Sequence, residues 1–375
     1  MKKTRYGMVG CGMMGQEHLR NIALLPEVEV AALYEPDGAM RQRSLALAPA
    51  ARACESLEAL LEQPDIDAWV ITSPNHCHAG QLQAIARQRP LPVLLEKPAC
   101  TSLEGLAALR GLPASFRSSV WTAMEYRYMP PIARLLAETR DASASGAPVM
   151  LSIREHRYPF LTKVGDWNRF ARNTGGTLVE KCCHFFDLMR LVMQADPVRL
   201  FASGGQNHNH LDESYPQGRP DILDNAFVVL DFPGNRRAML ELCMFAEGSR
   251  YQEEICVVGP RGKIECQVPG PGRFWPAHLG PAPVARLTLS PREPAGPRQL
   301  EVPVDPALLA AGDHNGSTFY QHQRFLAVLQ GRQPVEVSLT DGLKAVVIGL
   351  AAEQSARTGE RIDLAAGPWS LDWPD

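Results

Sequence analysis

Near its amino end the chain reads Arg5-Tyr6-Gly7-Met8-Val9-Gly10-Cys11-Gly12-Met13-Met14-Gly15, and the fold is read outward from this stretch. Its first five residues predict a buried strand, and residues 13–25 predict a helix that stops at Pro26. Gly10, Gly12 and Gly15 therefore fall in a strand-to-helix turn. The first glycine permits the tight turn, the second lets the backbone approach a pyrophosphate, and the third allows close helix–strand packing. The anion would sit on the unpaired N–H groups that open the helix, near Met13 and Met14. Such a turn is weak support by itself, but at the chain's first strand it has the context that a dinucleotide site needs. The second predicted strand, residues 28–34, ends at Glu35, about 20 residues past the turn. A carboxylate there accepts hydrogen bonds from ribose hydroxyls and repels a 2′-phosphate. That favours NAD, while Arg41 and Arg43 close by leave NADP open.

Strand and helix signals keep alternating up to about residue 125. Further strands are predicted over 68–72, 93–95 and 119–124, and further helices over 38–48, 56–61, 78–87 and 103–109. Strands joined by helical crossovers form a parallel sheet with right-handed connections. After Met124 the texture changes. A helix is predicted from Met129-Pro130-Pro131 to about Thr139, then a Ser/Ala/Gly linker over 141–148, then strand-like runs over 149–155, 226–231, 238–245, 254–258 and 263–268. Residues 269–297 are rich in Pro and Gly and read as an irregular surface excursion. Closing helices are predicted near 318–330 and 343–355. The expected class is α/β. A doubly wound Rossmann domain over 1–125 is joined to an α/β domain over 126–375 with an open, mostly antiparallel sheet, the part expected to bind substrate and assemble copies.

Composition narrows the function classes. The 375 residues are 45% hydrophobic and 21% charged, with a formal net charge of -3. This is an ordinary globular balance, and nothing in it is built to neutralise phosphates, so nucleic acid is not an expected partner. No apolar run has the length of a membrane span. The apolar stretch after the basic Met1–Arg5 is interrupted by the three glycines and by Gln16-Glu17-His18, which does not read as a secretory segment. The nine cysteines include no CxxC pair, which argues against a disulfide framework or a cysteine zinc site. A cytoplasmic protein is expected.

Two further motifs carry a resemblance. Ser73-Pro74-Asn75-His76-Cys77-His78 follows one predicted strand and Glu96-Lys97-Pro98 follows the next. With the glycine turn, and with Gly175-Gly176 followed by Glu180, His184 and Asp187, they make the chain resemble the glucose-fructose oxidoreductase/inositol dehydrogenase/rhizopine-catabolism family over nearly its whole length. The resemblance implies hydride transfer between NAD(P) and a hydroxyl or carbonyl carbon of a sugar, inositol or related polyol. It implies Lys97 as a catalytic residue with His184 as its partner, and cofactor contacts from Ser73, Pro74, Asn75, His78, Glu96 and Lys97. A cis peptide before Pro98 belongs to the same pattern, as does assembly into homodimers or homotetramers. One departure is visible: many members carry Asp where this chain has Glu180, one methylene longer.

The residues themselves support part of this reading. Lys97 would sit at the carboxyl end of a strand, where ligands bind in open α/β sheets. There a lysine can act as a base or as a cation that stabilises a developing alkoxide, with burial lowering its pKa. At helical spacing Leu178, Cys182, Phe185, Met189 and Val192 form one apolar stripe, leaving Glu180, His184 and Asp187 together on the opposite face. His184 is then expected to exchange a proton with a substrate hydroxyl and Glu180 to bind or orient it. Asp187 either contacts substrate or serves structure. Tyr126, Arg127, His156, Arg157, Trp167, Asn168 and Arg169 offer aromatic faces and hydrogen-bonding groups suited to a carbohydrate-like ligand, or ordinary packing; Trp167-Asn168 is the favoured pair. Asn207-His208-Asn209-His210 reads as a loop near the substrate mouth, and no metal is expected. Two other functions remain in view: a glycosidase that uses NAD transiently, and a non-catalytic NAD sensor.

Overall fold

The computed structural model describes residues 3–112, 116, 118–293 and 296–373. Strands β1 (Thr4–Val9), β2 (Val28–Tyr34), β3 (Arg52–Cys54), β4 (Ala68–Ile71), β5 (Val93–Leu95) and β6 (Val120–Thr122) form one parallel sheet in the order β3-β2-β1-β4-β5-β6. All four residues of β4 and all three of β5 are buried, as expected of strands covered on both faces. The strand order reverses between β1 and β4. The crevice outside their carboxyl ends is where open α/β sheets bind ligands. Gly10 follows β1 and Ser73 follows β4, so both line it.

The second sheet contains β7 (Met150–His156), β8 (Arg199–Gly205), β9 (Asn225–Phe232), β10 (Arg236–Cys243), β11 (Glu253–Gly259), β12 (Gly262–Val268), β13 (Ala285–Pro291), β14 (Arg298–Val302) and β15 (Ile362–Asp363). Its order is β14-β13-β12-β11-β7-β10-β9-β8-β15, antiparallel at every step except β7–β10. Alternation decides its two faces. Leu151, Ile153, Val228 and Leu230 point under helices Pro130–Asp141, Cys183–Met193 and Leu339–Thr358, while Met150, Phe201, Phe227 and Val229 point outward. No helix among the described residues is long and apolar enough to cross a membrane.

The Pro/Gly-rich excursion is only half irregular. Ala285, Leu287 and Leu289 alternate into the core and make β13, which pairs with β14; prolines and glycines on either side mask that short period. Residues 294 and 295 of the excursion lie outside the described residues. The first closing helix, Ser317–Leu329, lies within one residue of the expected span, while the second runs further than expected, Leu339–Thr358, opened by a capping box between Ser338 and Asp341. Phe325 and Leu326 of the first of these share a core with Tyr6, Met8 and Leu33, so the carboxyl-terminal half covers one face of the first sheet.

Candidate active site

The glycine turn is shaped for a ligand at one position and for packing at the other two. Gly10 has φ +79°, and a Cβ there would stand 2.6 Å from the Ser73 backbone nitrogen. A Cβ on Gly15 would stand 2.8 Å from the Gly10 carbonyl oxygen. On Gly12 it would meet nothing within 4 Å. The helix that starts at Met13 has no side-chain cap, so its first N–H groups face that open space. Across the crevice Asn75 is buried with its Nδ2 unpartnered. An open floor, free helix donors and an orphaned amide fit a dinucleotide.

Glu35 is buried at the end of β2. Its Oε2 accepts from the Cys11 N–H at 2.6 Å and its Oε1 from the Asp37 N–H at 2.9 Å. A carboxylate has about four acceptor sites, so two stay free for ribose hydroxyls. His78 does not fit its expected role. It is fully buried, with Nδ1 2.8 Å from the Pro98 carbonyl oxygen and Nε2 2.9 Å from that of Ser73. The helix it opens turns the ring under the loops, where it ties them together. Glu96 likewise faces inward. His18 Nε2 lies 2.9 Å from its Oε1, and its Oε2 accepts from the Lys97 N–H at 3.1 Å.

The Lys97–Pro98 peptide is cis, and the Lys97 ammonium donates to the Glu180 carbonyl oxygen at 3.2 Å. Glu180 closes a short helix, Thr177–Glu180, and His184 lies in the first turn of the next, Cys183–Met193. The continuous helix expected here is interrupted, and it is buried on all sides rather than along one stripe. The two groups differ in charge. Burial pulls the Lys97 amine down, but Cys183, Glu96, Glu180 and Glu125 around it pull it up, and it ends above an ordinary lysine. Cys183, pushed up to about 12 by burial, is a neutral thiol at pH 7, which leaves the carboxylates to hold the ammonium. His184 is driven far below an ordinary imidazole by burial and then by the charges of Lys97, Lys181, His314 and Arg157. Lys97 is therefore the cation, and the neutral His184 is the group able to take a proton. The expectation that burial lowers the Lys97 pKa is reversed by its acidic neighbours.

The other expected substrate residues divide. Tyr126 stacks on His184, ring centroids 4.1 Å apart and planes within 11°. Trp167 lies under the Lys163 ammonium, 4.5 Å from its ring centroid, with His76 edge-on. Asn168 is a structural residue, fully buried and donating to the Leu161 carbonyl oxygen at 3.0 Å. Asp187 is fully buried and accepts from Arg127 Nε at 2.6 Å, an ion pair within the protein. His156 is on the wrong face. Period two on β7 sends Leu151, Ile153 and Glu155 inward and His156 outward, where its Nε2 meets Glu241 Oε1 at 3.0 Å. Arg169 pairs with Glu213 at 2.8 Å. The Asn207–His210 loop wraps the Asp224 carboxylate, which accepts from the N–H groups of Asn207, His208 and Asn209.

Sequence reasoning passed over several groups that the fold gathers here. Lys163 reaches Glu180 Oε1 at 3.3 Å. Lys181 meets Glu155 Oε1 at 2.8 Å and the Tyr126 hydroxyl behind the His184 ring. Glu125 and His314 lie beside Tyr126, the His314 ring centroid 6.3 Å from that of Tyr126. One signal was available: Glu155 occupies a core position of an alternating strand, and a charge there needs a buried partner. His314 sits in a loop with no periodicity to betray it.

Comparison with known proteins decides the family. Residues 4–114 match the description "Oxidoreductase family, NAD-binding Rossmann fold" and residues 146–364 match "Oxidoreductase family, C-terminal alpha/beta domain". The chain belongs to the Gfo/Idh/MocA oxidoreductase family. Among relatives in that family, an inositol 2-dehydrogenase of Ralstonia nicotianae is 26% identical, over 96% of this chain and 97% of its own. The rhizopine catabolism protein MocA of Rhizobium meliloti is 27% identical over 53% of this chain, a match spanning 60% of that protein. A solved oxidoreductase of Agrobacterium radiobacter, in complex with NAD+, L-tartaric acid and magnesium, superposes with a TM-score of 0.78 over 96% of this chain and 98% of its own at 16% identity, a likeness of fold. This Gfo/Idh/MocA member is thus an oxidoreductase with an NAD-binding Rossmann fold.

Proposed function

We propose that this enzyme oxidises a secondary hydroxyl of a sugar, an inositol or a related polyol, using NAD in preference to NADP, in the cytoplasm. The observation that carries the reading is the Lys97 ammonium at the carboxyl end of β5, 3.2 Å from the Glu180 carbonyl oxygen, with His184 at the opening of the helix that follows Glu180. Bound NAD would supply the hydride acceptor. His184 takes the hydroxyl proton, for which it must be neutral at rest. The Lys97 ammonium stabilises the alkoxide that develops on the same oxygen. Glu180 has one buried oxygen without a partner, Oε2, to accept from a neighbouring hydroxyl. Trp167 offers an aromatic face to a ring. The preference for NAD rests on the two free acceptor sites of Glu35.

The named activities of relatives point the same way, inositol oxidation in one and a hydroxy acid beside NAD+ in another. We further propose that a second copy covers the open face of the second sheet, where Phe227 is 56% exposed and Phe201 45%. A screen of inositols, sugars and sugar acids for reduction of NAD and NADP, read by absorbance of the reduced nicotinamide, tests the function. Reduction of NAD by one of these classes is the expected result. No reduction with any of them, together with sugar release from glycosides, would move the assignment to hydrolysis.

A further inference from the structure

The overall reaction proposed above releases a proton: a secondary alcohol and NAD+ give a ketone, NADH and one proton. The C–H electron pair leaves with the hydride, and the O–H bond breaks with its proton going to His184. His184 is fully buried and its Nδ1 has no partner, while the charges of Lys97, Lys181, His314 and Arg157 oppose its protonation. Burial and these charges disfavour an imidazolium there, so the proton is passed on before the next turnover.

We propose that Glu125 and His314 carry this proton from the cleft to solvent. The proposal rests on the dehydrogenase reading. Glu125 adjoins Tyr126, whose ring stacks on His184. It is fully buried, its Oε1 lacks a hydrogen-bond partner, and its Oε2 accepts from the hydroxyls of Thr318 at 2.6 Å and Ser317 at 3.2 Å. His314 Nδ1 stands 3.7 Å from that free Oε1 and 2.7 Å from Glu17 Oε1. The Thr318 hydroxyl lies 3.2 Å from the same Glu17 oxygen. Two buried carboxylates, one imidazole and one hydroxyl thus form a continuous chain. Of these four groups His314 is the one with substantial access to solvent, its side chain 24% exposed.

The groups facing His314 come from every element packed around it: Glu17 and, beyond it, His18 on the first helix; Glu125 and Tyr126; Lys181 and His184; and, on its own segment, Asp313, which is paired with Arg273. Burial pulls His314 down, but Glu17 and Glu125 lift it to about 9. Glu125 is raised by burial, and Glu96 and Glu17 raise it further against the pull of His314. A carboxylate shifted toward neutrality can hold a proton briefly, and an imidazolium at the surface hands one to water or buffer. No hydrogen bond among the described residues joins His184 to Glu125, so the first transfer runs through substrate hydroxyls or solvent in the cleft.

The test uses full-length Glu125→Gln and His314→Gln, chosen because each keeps the shape and some of the hydrogen bonds, with far-ultraviolet circular dichroism confirming the fold. Against an alcohol that wild type oxidises, both should lose roughly 10- to 100-fold in kcat with KM little changed. Their solvent deuterium isotope effect should rise, and added imidazole should restore part of the His314→Gln rate. A readout without turnover is histidine NMR of the protein alone, where His314 should stay charged to about pH 9 and titrate lower in Glu17→Gln. Wild-type rates in both variants would overturn the relay. So would a loss that imidazole does not repair and that leaves the isotope effect unchanged, since that marks a structural role. If wild type oxidises no alcohol, it is the dehydrogenase reading that fails, a different result from a relay that proves dispensable.

Discussion

Replacing Gly10 and Gly12, two residues apart, by alanine should have opposite consequences. At Gly10 the backbone is left-handed, φ +79°, which costs an L-residue about 1–2 kcal/mol. The added Cβ would also stand 2.6 Å from the Ser73 backbone nitrogen, roughly 1 Å inside normal contact, and main chain gives way poorly. Overpacking of this kind adds about 1–3 kcal/mol, so Gly10→Ala should lose about 2–5 kcal/mol of stability. At Gly12 the Cβ meets nothing within 4 Å and the backbone is extended, so the protein without ligand should melt within about 1 °C of wild type. The same methyl would occupy the space assigned to the pyrophosphate. The overpacking cost then falls on the complex, and about 1–3 kcal/mol is a roughly 5- to 150-fold weaker NAD affinity. Differential scanning calorimetry without ligand and titration calorimetry with NAD measure the two quantities separately. Unchanged NAD affinity in Gly12→Ala would refute the placement of the cofactor over this turn, whatever happened at Gly10.

Other outcomes follow from the charge assignments. His184→Gln should lower kcat about 10²- to 10⁴-fold while NAD affinity holds, measured by steady-state kinetics and titration calorimetry; retained turnover would leave the proton without its acceptor. Lys97→Met should lower kcat/KM, with Lys97→Arg recovering part of it, because the structure asks for a cation there and not a base. The Glu17–His314 pair makes stability depend on pH. His314, lifted to about 9 from about 6.5, contributes fully below pH 6.5 and loses its contribution as pH rises through 9. Glu17, held at about 2 instead of 4.5, contributes above pH 4.5 and loses its share as pH falls through 2. The melting-temperature gap between wild type and His314→Gln should therefore be widest at pH 4.5–6.5 and narrow toward pH 9, the pair being worth about 3 kcal/mol counted once. Phe227→Asp with Phe201→Asp should convert any dimer to monomer by light scattering without altering the fold.

What the sequence made legible was whatever repeats with a short period or a fixed local spacing. The glycine turn, the strands flanking it and the Lys97-Pro98 element are local, and β2 and β5 have the residues that alternation and apolar runs assigned to them. Residues 180–192 show the limit. Helical spacing put Glu180, His184 and Asp187 on one face, but the helix restarts at Cys183, and Asp187 turns to Arg127 while His184 turns to Tyr126. His156 and Glu155 show a second limit. Adjacent residues of a strand face opposite ways, and which of them meets the cleft depends on the covered side of the sheet, a tertiary fact. Glu125, Lys163, Lys181 and His314 come from four separate segments, and only packing brings them together.

The division of charge between Lys97 and His184 is a property of that gathering and not of either residue. His184 is buried and Lys97 half-buried, and loss of solvent alone would push both toward neutrality. Around the amine Cys183, Glu96, Glu180 and Glu125 act against that loss and leave it above an ordinary lysine. The imidazole instead faces Lys97, Lys181, His314 and Arg157, which reinforce it. Glu155 is paired with Lys181, and Glu253 is lifted to about 7 by burial and then by the nearby Glu155. Removing one supporting charge should therefore move the pKa of His184 more than altering its direct neighbour Tyr126, whose ring carries no charge at neutral pH. By this logic Lys181→Met should raise the acid limb of the kcat/KM profile, whereas Tyr126→Phe, which keeps the stacked ring, should leave that limb in place. A profile that shifts with Tyr126→Phe and not with Lys181→Met would mean that stacking, not the surrounding cations, keeps His184 neutral.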